Sequence, residues 1–253
     1  MKSVLGRGLL GRALQEFAAR RVLVAFDFDG TLAPIVRLPD AAKMRRRTAA
    51  LLAKMATLYP CAVISGRARA DVLQKVRGIP WRAVLGNHGM EPWRGLAAAR
   101  RLVARWCDQL AATLPPAPGV VVENKGPSLA IHYRLAHARG TMRRLVLRAA
   151  TALRNGRIVL GKMVVNVLPA HAPDKGQALL QLCKRLGCDA AVFVGDDDTD
   201  EDAFALAARF PLLGIRVGRS RRSQAAHFLP GQNAIDELLA RLVAARDVPS
   251  GRR

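Results

Sequence analysis

The sequence predicts an α/β protein: a doubly wound parallel sheet interrupted by an inserted α+β module. Short unbroken apolar runs at residues 22–26, 61–64 and 190–194 read as strands buried on both faces, as in a parallel sheet covered by helices. Helical patterns alternate with these runs, which is the order of βαβ units. Between residues 95 and 169 the rhythm changes to helix, hairpin, helix, hairpin. The expected organisation is a core in two parts, residues 1–94 and 170–253, around a module at 95–169.

In chain order, a basic amphipathic leader helix carrying Leu10, Leu14, Phe17 and Ala18 on one side is expected beside the first strand. Pro34 and Pro39 mark a loop, and a helix follows over 40–58 with Leu51, Leu52 and Met55 on its apolar side. Strand 61–64, helix 70–76 and strand 83–85 come next. In the module, helix 96–114 is stopped by Pro115, Pro116 and Pro118. Strands 120–122 and 128–134 are joined by a Lys125-Gly126-Pro127 turn, and helix 138–153 leads to a hairpin of 158–160 with 163–168. The core resumes with helix 174–186, strand 190–194, helix 201–209, strand 212–217 and helix 234–246. Residues 249–253 are expected to fray.

A chain of 253 residues with 51% hydrophobic content holds a substantial core. No apolar run approaches the ~20 residues of a membrane span, and residues 1–21 show neither the continuous apolar stretch nor the cleavage site of a signal peptide. The formal net charge is +22, from 41 Lys and Arg against 19 Asp and Glu. The arginines are dispersed and aromatic residues make up only 5%, so no stacking platform for nucleic acid is in view. The charge reads as a field that draws in anionic substrates. Cys61, Cys107, Cys183 and Cys188 have no metal-ligand spacing and read as reduced thiols of a cytoplasmic protein.

Chemistry is expected where the strands end. Asp27 and Asp29 follow the first strand and share one face, while Phe28 points away. Gly30 permits a tight exit turn, and Thr31 offers a hydroxyl and an N–H to an anion. Ser65 ends the next buried strand, and Asp196 ends the strand at 190–194. Lys175 stands in the first turn of a helix, where free N–H groups already favour an anion. Two acidic clusters, one hydroxyl and one lysine suit Mg²⁺-assisted phosphoryl transfer, because oxygen-only carboxylate sites select hard cations. A carboxylate can accept the phosphoryl group, and a second can protonate the leaving oxygen and deprotonate water. Asp196, Asp198 and Asp200 have the early spacing of a calcium loop, but Glu201 stands where that loop requires glycine.

With these pieces in hand, the chain resembles the haloacid dehalogenase superfamily of phosphatases. The segments Ile64-Ser65-Gly66-Arg67, Gly86-Asn87-His88-Gly89-Met90-Glu91, Lys125-Gly126 with His132-Tyr133-Arg134, and 195–204 are similar to signatures of the trehalose-6-phosphate phosphatase family. The resemblance implies Asp27 as nucleophile, Asp29 as general acid/base, and Ser65 with Lys175 holding the phosphoryl group. It implies Mg²⁺ on Asp27, the Asp29 carbonyl and Asp196, with Asp197 and Asp200 as supporting acids. The module at 95–169 corresponds to a cap domain. Asp27, Asp29, Thr31, Arg67, Asn87, His88, Lys125, His132, Arg134 and Asn166 are the expected substrate contacts. Asn166 and Leu168 depart from the family pattern, which usually has Glu and a basic residue there. The expected activity is hydrolysis of trehalose 6-phosphate by a cytoplasmic monomer with no specific nucleic-acid partner. The rivals are a phosphatase or phosphomannomutase-like enzyme acting on another phosphosugar, and a non-catalytic basic nucleic-acid-binding protein.

Overall fold

The computed structural model describes residues 1–5, 16–17, 20–161 and 163–246. Leu10, Leu14 and Ala18 of the expected leader helix lie outside the described residues, as do Lys162 and the tail at 249–253; Phe17 packs against the core. The chain forms two compact units, Met1–Gly89 with Asp174–Arg253, and Met90–Pro173.

The first part of the core unit holds β1 (Lys2–Ser3), β2 (Val22–Phe26), α1 (Arg46–Leu58), β3 (Cys61–Ile64), α2 (Arg69–Lys75) and β4 (Ala83–Leu85). The inserted unit then supplies α3 (Leu96–Thr113), β5 (Val121–Asn124), β6 (Leu129–His132), α4 (Arg139–Thr151), β7 (Gly156–Gly161) and β8 (Val164–Pro169). The core resumes with α5 (Lys175–Leu186), β9 (Ala190–Gly195), α6 (Glu201–Phe204), β10 (Leu212–Val217), β11 (His227–Leu229) and α7 (Ile235–Arg246).

The core sheet has the order β1-β11-β10-β9-β2-β3-β4, and every pairing in it is parallel. All five residues of β2 are buried. Val22, Val24 and Phe26 pack on one face with Leu52 and Met55 of α1 and Leu238 and Leu239 of α7. Leu23 and Ala25 pack on the other with Leu179 and Leu182 of α5 and Phe204 of α6. Helices on both faces explain why β2 reads as continuous apolar sequence rather than as alternation. From β2 the chain winds outward through β3 and β4 on one side and β9, β10 and β11 on the other. The order reverses between β2 and β9, and a crevice at their carboxyl ends is where such sheets bind ligands.

Two expected helices are shorter than their sequence pattern. The helix expected over 40–58 begins at Arg46: Pro39 opens a separate 3₁₀ turn, Pro39–Ala41, and Ala42 turns extended. The helix expected over 201–209 is α6 followed by a 3₁₀ segment, Ala205–Ala208. β1 and β11, two and three residues long, are too short to show a period of two in sequence.

In the inserted unit, the antiparallel sheet runs β5-β6-β8-β7. Leu129 and Ile131 of β6 and Val165 and Val167 of β8 pack against Val103, Trp106 and Leu110 of α3 and Val146 of α4. Cross-strand register aligns Glu123, Ala130, Asn166 and Val159 in one row. Strand alternation therefore sends Glu123, Asn166 and His132 to the face opposite the helices. No helix among the described residues is long and apolar enough to cross a membrane, and all four cysteines are free.

Candidate active site

Asp27 extends the ladder one step past β2, its N–H donating to the Val194 carbonyl of β9 at 2.9 Å. Phe26 pairs with Val194 on one side and Val63 on the other. The residues just after three adjacent strands, Asp27, Ser65 and Asp196, are thus brought to one sheet edge. Lys175 arrives from the start of α5. Asp174 caps that helix by accepting from the Gln177 N–H at 2.7 Å, and Gly187 closes it in the left-handed conformation, so the first turn is fixed.

The site is built on Lys175, whose side chain is 2% exposed. Its Nζ donates to Asp27 Oδ1 at 3.0 Å and to Asp200 Oδ1 at 2.7 Å. Asp200 Oδ2 accepts from the Asp197 N–H at 2.9 Å, so both its oxygens are committed. The side-chain oxygens of Asp27, Asp196 and Asp200 come within 4.8 Å of one another, and all three residues are buried. Two glycines permit this crowding. A Cβ on Gly30, which sits at φ +77°, would fall 2.2 Å from Asp196 Oδ2, and one on Gly195 would fall 2.2 Å from Asp200 Cγ.

Burial pushes Asp27 well above the ordinary carboxylate range; Lys175 opposes that shift, while Asp200, Asp196 and Asp29 add to it. Burial alone would lower Lys175, but the charges and hydrogen bonds of Asp200 and Asp27 more than reverse it and hold the ammonium charged. Three buried carboxylates therefore face one buried cation. With all of them ionised, two negative charges remain uncompensated in a low-dielectric site, which a divalent cation neutralises. The donor set is oxygen only and selects a hard ion. Four residues after Asp27 in the chain, Thr31 Oγ1 is buried with no hydrogen-bond partner among the described residues. A metal ion and an oxyanion fit this cluster.

Other expected site residues take different surroundings. Ser65 is buried, and its Oγ accepts from the Arg67 N–H at 3.2 Å. Asp29 is partly exposed and held in a fork by the Arg67 guanidinium, at 2.6 and 2.7 Å. Asn87 and His88 are buried at φ 47° and 60°, and the His88 N–H donates to the Ser65 carbonyl at 2.8 Å. In the inserted unit, Lys125 closes the β5–β6 turn, its N–H donating to the Ser128 carbonyl at 3.0 Å. His132 Nε2 pairs with Glu123 Oε2 at 2.8 Å. Arg134 follows β6 and is partly buried. Asn166 is buried, and its amide donates to the Val159 carbonyl at 3.3 Å.

The structure adds two residues, Asp71 and Glu123, and makes Asp200, expected as a supporting acid, as central to the lysine as Asp27. Asp71 accepts from Arg67 at 2.7 Å and Glu123 from His132. Arg67 and Asp71 stand four residues apart, an opposite-charge spacing that could have signalled the pair, whereas Glu123 and His132 lie on different strands and had no such signal.

A parallel sheet with a carboxylate pair at the switch point, and a buried lysine reaching it from the following half of the core, defines a haloacid dehalogenase-type protein. The trehalose-phosphatase family model matches residues 25–231, and the chain belongs to that family. The trehalose-phosphate phosphatase of Mycobacterium avium is 37% identical over 216 residues, covering 79% of this chain and 55% of that protein. That of Mycobacterium tuberculosis H37Rv is 38% identical over 202 residues, covering 74% and 51%. The chain thus spans about half the length of the curated relatives it matches. The C-terminal domain of Candida albicans trehalose-6-phosphate phosphatase shares the fold, with a TM-score of 0.78 at 23% identity over 96% of this chain and 99% of that one.

Proposed function

We propose that this chain hydrolyses trehalose 6-phosphate to trehalose and phosphate through an aspartyl phosphate on Asp27. The observation that carries the reading is the buried Lys175 bridging Asp27 and Asp200 beside Asp196. Family membership supports the substrate.

In this reading Lys175 fixes Asp27 Oδ1 and directs the carboxylate at phosphorus. The Asp27–phosphorus bond forms as the bond to the sugar oxygen breaks, and Asp29 gives that oxygen its proton. Water then attacks the phosphorus of the aspartyl phosphate while Asp29 takes the proton back, which restores Asp27 and releases phosphate. Ser65 and Thr31 donate to the phosphoryl oxygens. Asp27, Asp196 and the Asp29 carbonyl would hold Mg²⁺, with Asp200 and Asp197 supporting them. When bound, the ion supplies charge neutralisation on the phosphoryl oxygens. Preorganised charge of this kind is needed because uncatalysed phosphate-monoester hydrolysis requires acceleration of up to ~10²¹-fold.

Glu123, His132 and Asn166, on the helix-free face of the inserted sheet, would recognise sugar hydroxyls, with Lys125, Arg134, Asn87 and His88 as further contacts. This assigns the inserted unit the role of a cap. A cytoplasmic location is part of this reading and is supported by the four free thiols; that the enzyme acts as a monomer is proposed with it.

The test is phosphate release over a phosphosugar panel with Mg²⁺. Trehalose 6-phosphate should give the highest kcat/KM. A higher value with another phosphosugar overturns the substrate, and recovery of an isomerised phosphosugar in place of phosphate overturns the hydrolase.

A further inference from the structure

Arg67 leaves the turn after β3 with most of its hydrogen-bonding capacity already committed. A guanidinium carries five N–H donors in a fixed planar fork. Nε donates to Asp29 Oδ2 at 2.6 Å, and Nη2 donates to Asp29 Oδ1 and to the Pro39 carbonyl, both at 2.7 Å. Nη1 donates to Asp71 Oδ2 at 2.7 Å. Four of the five donors are engaged, two of them on a single carboxylate. The guanidinium also lies over the Phe28 ring, with Cζ 5.5 Å from its centroid, and the side chain is only 11% exposed.

The far end of the fork is anchored in turn. Asp71 lies in the first turn of α2 and meets Lys75 at 3.7 Å. The Lys75 Nζ donates to the Asp40 carbonyl at 3.0 Å. Asp29, by contrast, sits beyond the end of β2 with its side chain 39% exposed. An aspartate so placed has several rotamers open to it unless a partner selects one. A bidentate arginine fixes both the direction and the plane of the carboxylate, which a lysine cannot do.

We infer that Arg67 is a positioning residue for Asp29 rather than a ligand of the phosphoryl group, with Asp71 as its anchor. The inference rests on the phosphatase reading above, in which Asp29 protonates the leaving oxygen. In the fork both Asp29 oxygens accept and the carboxylate is ionised. The proton enters on one oxygen as its bond to Arg67 gives way, while the bond to the other oxygen keeps the carboxyl aimed, and Arg67 itself does not touch substrate. Its loss therefore matters in proportion to how badly the leaving group needs a proton. A phosphate ligand would instead matter equally for every monoester.

The experiment measures kcat/KM, which reports the steps through aspartyl-phosphate formation, for p-nitrophenyl phosphate, phenyl phosphate and a simple alkyl phosphate. General acid catalysis contributes ~10²–10⁴-fold, so Arg67→Ala should lower the alkyl value by ~10²-fold or more and the p-nitrophenyl value by less than ~3-fold. Arg67→Lys keeps the charge, loses the fork and should follow Arg67→Ala. Asp71→Asn should show the same graded pattern at smaller amplitude. These two variants decide the matter if Arg67→Ala does not fold. An equal loss across the series with a raised KM, or no loss at all, overturns the inference while leaving the phosphatase reading intact. Absence of phosphate release by the unaltered protein, from the series and from phosphosugars alike, overturns both.

Discussion

The sheet edge of the core unit and the helix-free face of the inserted unit are built to different standards. At the sheet edge, Lys175 and Asp200 have side chains 2% and 0% exposed, and their contacts are between full charges. On the inserted face, the His132–Glu123 pair is 37% and 48% exposed, and Asn166 gives its amide to a neighbouring strand's carbonyl. Buried charges cost several kcal/mol each to desolvate unless they are paired, so the core cluster is held in place by folding before any substrate arrives. Exposed ion pairs contribute only ~0–1 kcal/mol. The difference separates the two tasks assigned above: fixed chemistry in one unit, adaptable recognition in the other.

The largest expected effect comes from Asp27→Asn. It should lower kcat by on the order of 10⁴-fold or more for every phosphate monoester, the scale seen when a covalent nucleophile is removed. Circular dichroism should remain that of the native protein. Retained turnover would remove Asp27 from the chemistry.

Chelation comes next. EDTA should reduce phosphate release to background and Mg²⁺ should restore it, because Asp27, Asp196 and Asp200 crowd together with one lysine between them. Full activity after exhaustive chelation would leave the cluster without its cation.

Lys175→Ala should cost ~10²–10³-fold in kcat, the range for removing one preorganised charge-stabilising donor. The loss should be equal for sugar and aryl phosphates. Thermal stability should fall as well, because breaking a buried pair leaves an uncompensated charge worth ~3–5 kcal/mol.

Asn166→Ala has the smallest effect and the sharpest contrast. Loss of one hydrogen bond of about 1 kcal/mol predicts roughly a 5-fold lower kcat/KM for trehalose 6-phosphate. The value for p-nitrophenyl phosphate should not change. An equal loss on both substrates would place Asn166 with the chemistry and erase the division between the units.

The core was legible because its signals are local. β2, β3 and β9 are continuous apolar runs, and each is followed at once by a polar residue that the parallel register brings to the same edge. Asp174 and Gly187 mark both ends of α5, so the position of Lys175 in its first turn follows from sequence. What stayed hidden depends on tertiary pairing. Asp200 was expected only as a supporting acid, and its direct bond to Lys175 depends on the room that Gly195 leaves beside it. The fork between Arg67 and Asp29 joins residues 38 apart in sequence and had no signal, whereas the meeting of Lys175 with Asp27, 148 residues apart, was expected from their places at the strand ends and helix start. A 3₁₀ turn at Pro39–Ala41 shortened α1, since proline favours the start of a turn as readily as the start of a helix.

If Asp27 itself takes the phosphoryl group, the covalent intermediate can be trapped on it. The Asp29→Asn variant, given p-nitrophenyl phosphate and quenched in acid within one turnover, should carry one phosphoryl group. Peptide fragmentation should map it to Asp27, and hydroxylamine should remove it. A label on any other residue, or rapid p-nitrophenol release with no labelled protein, would contradict the account.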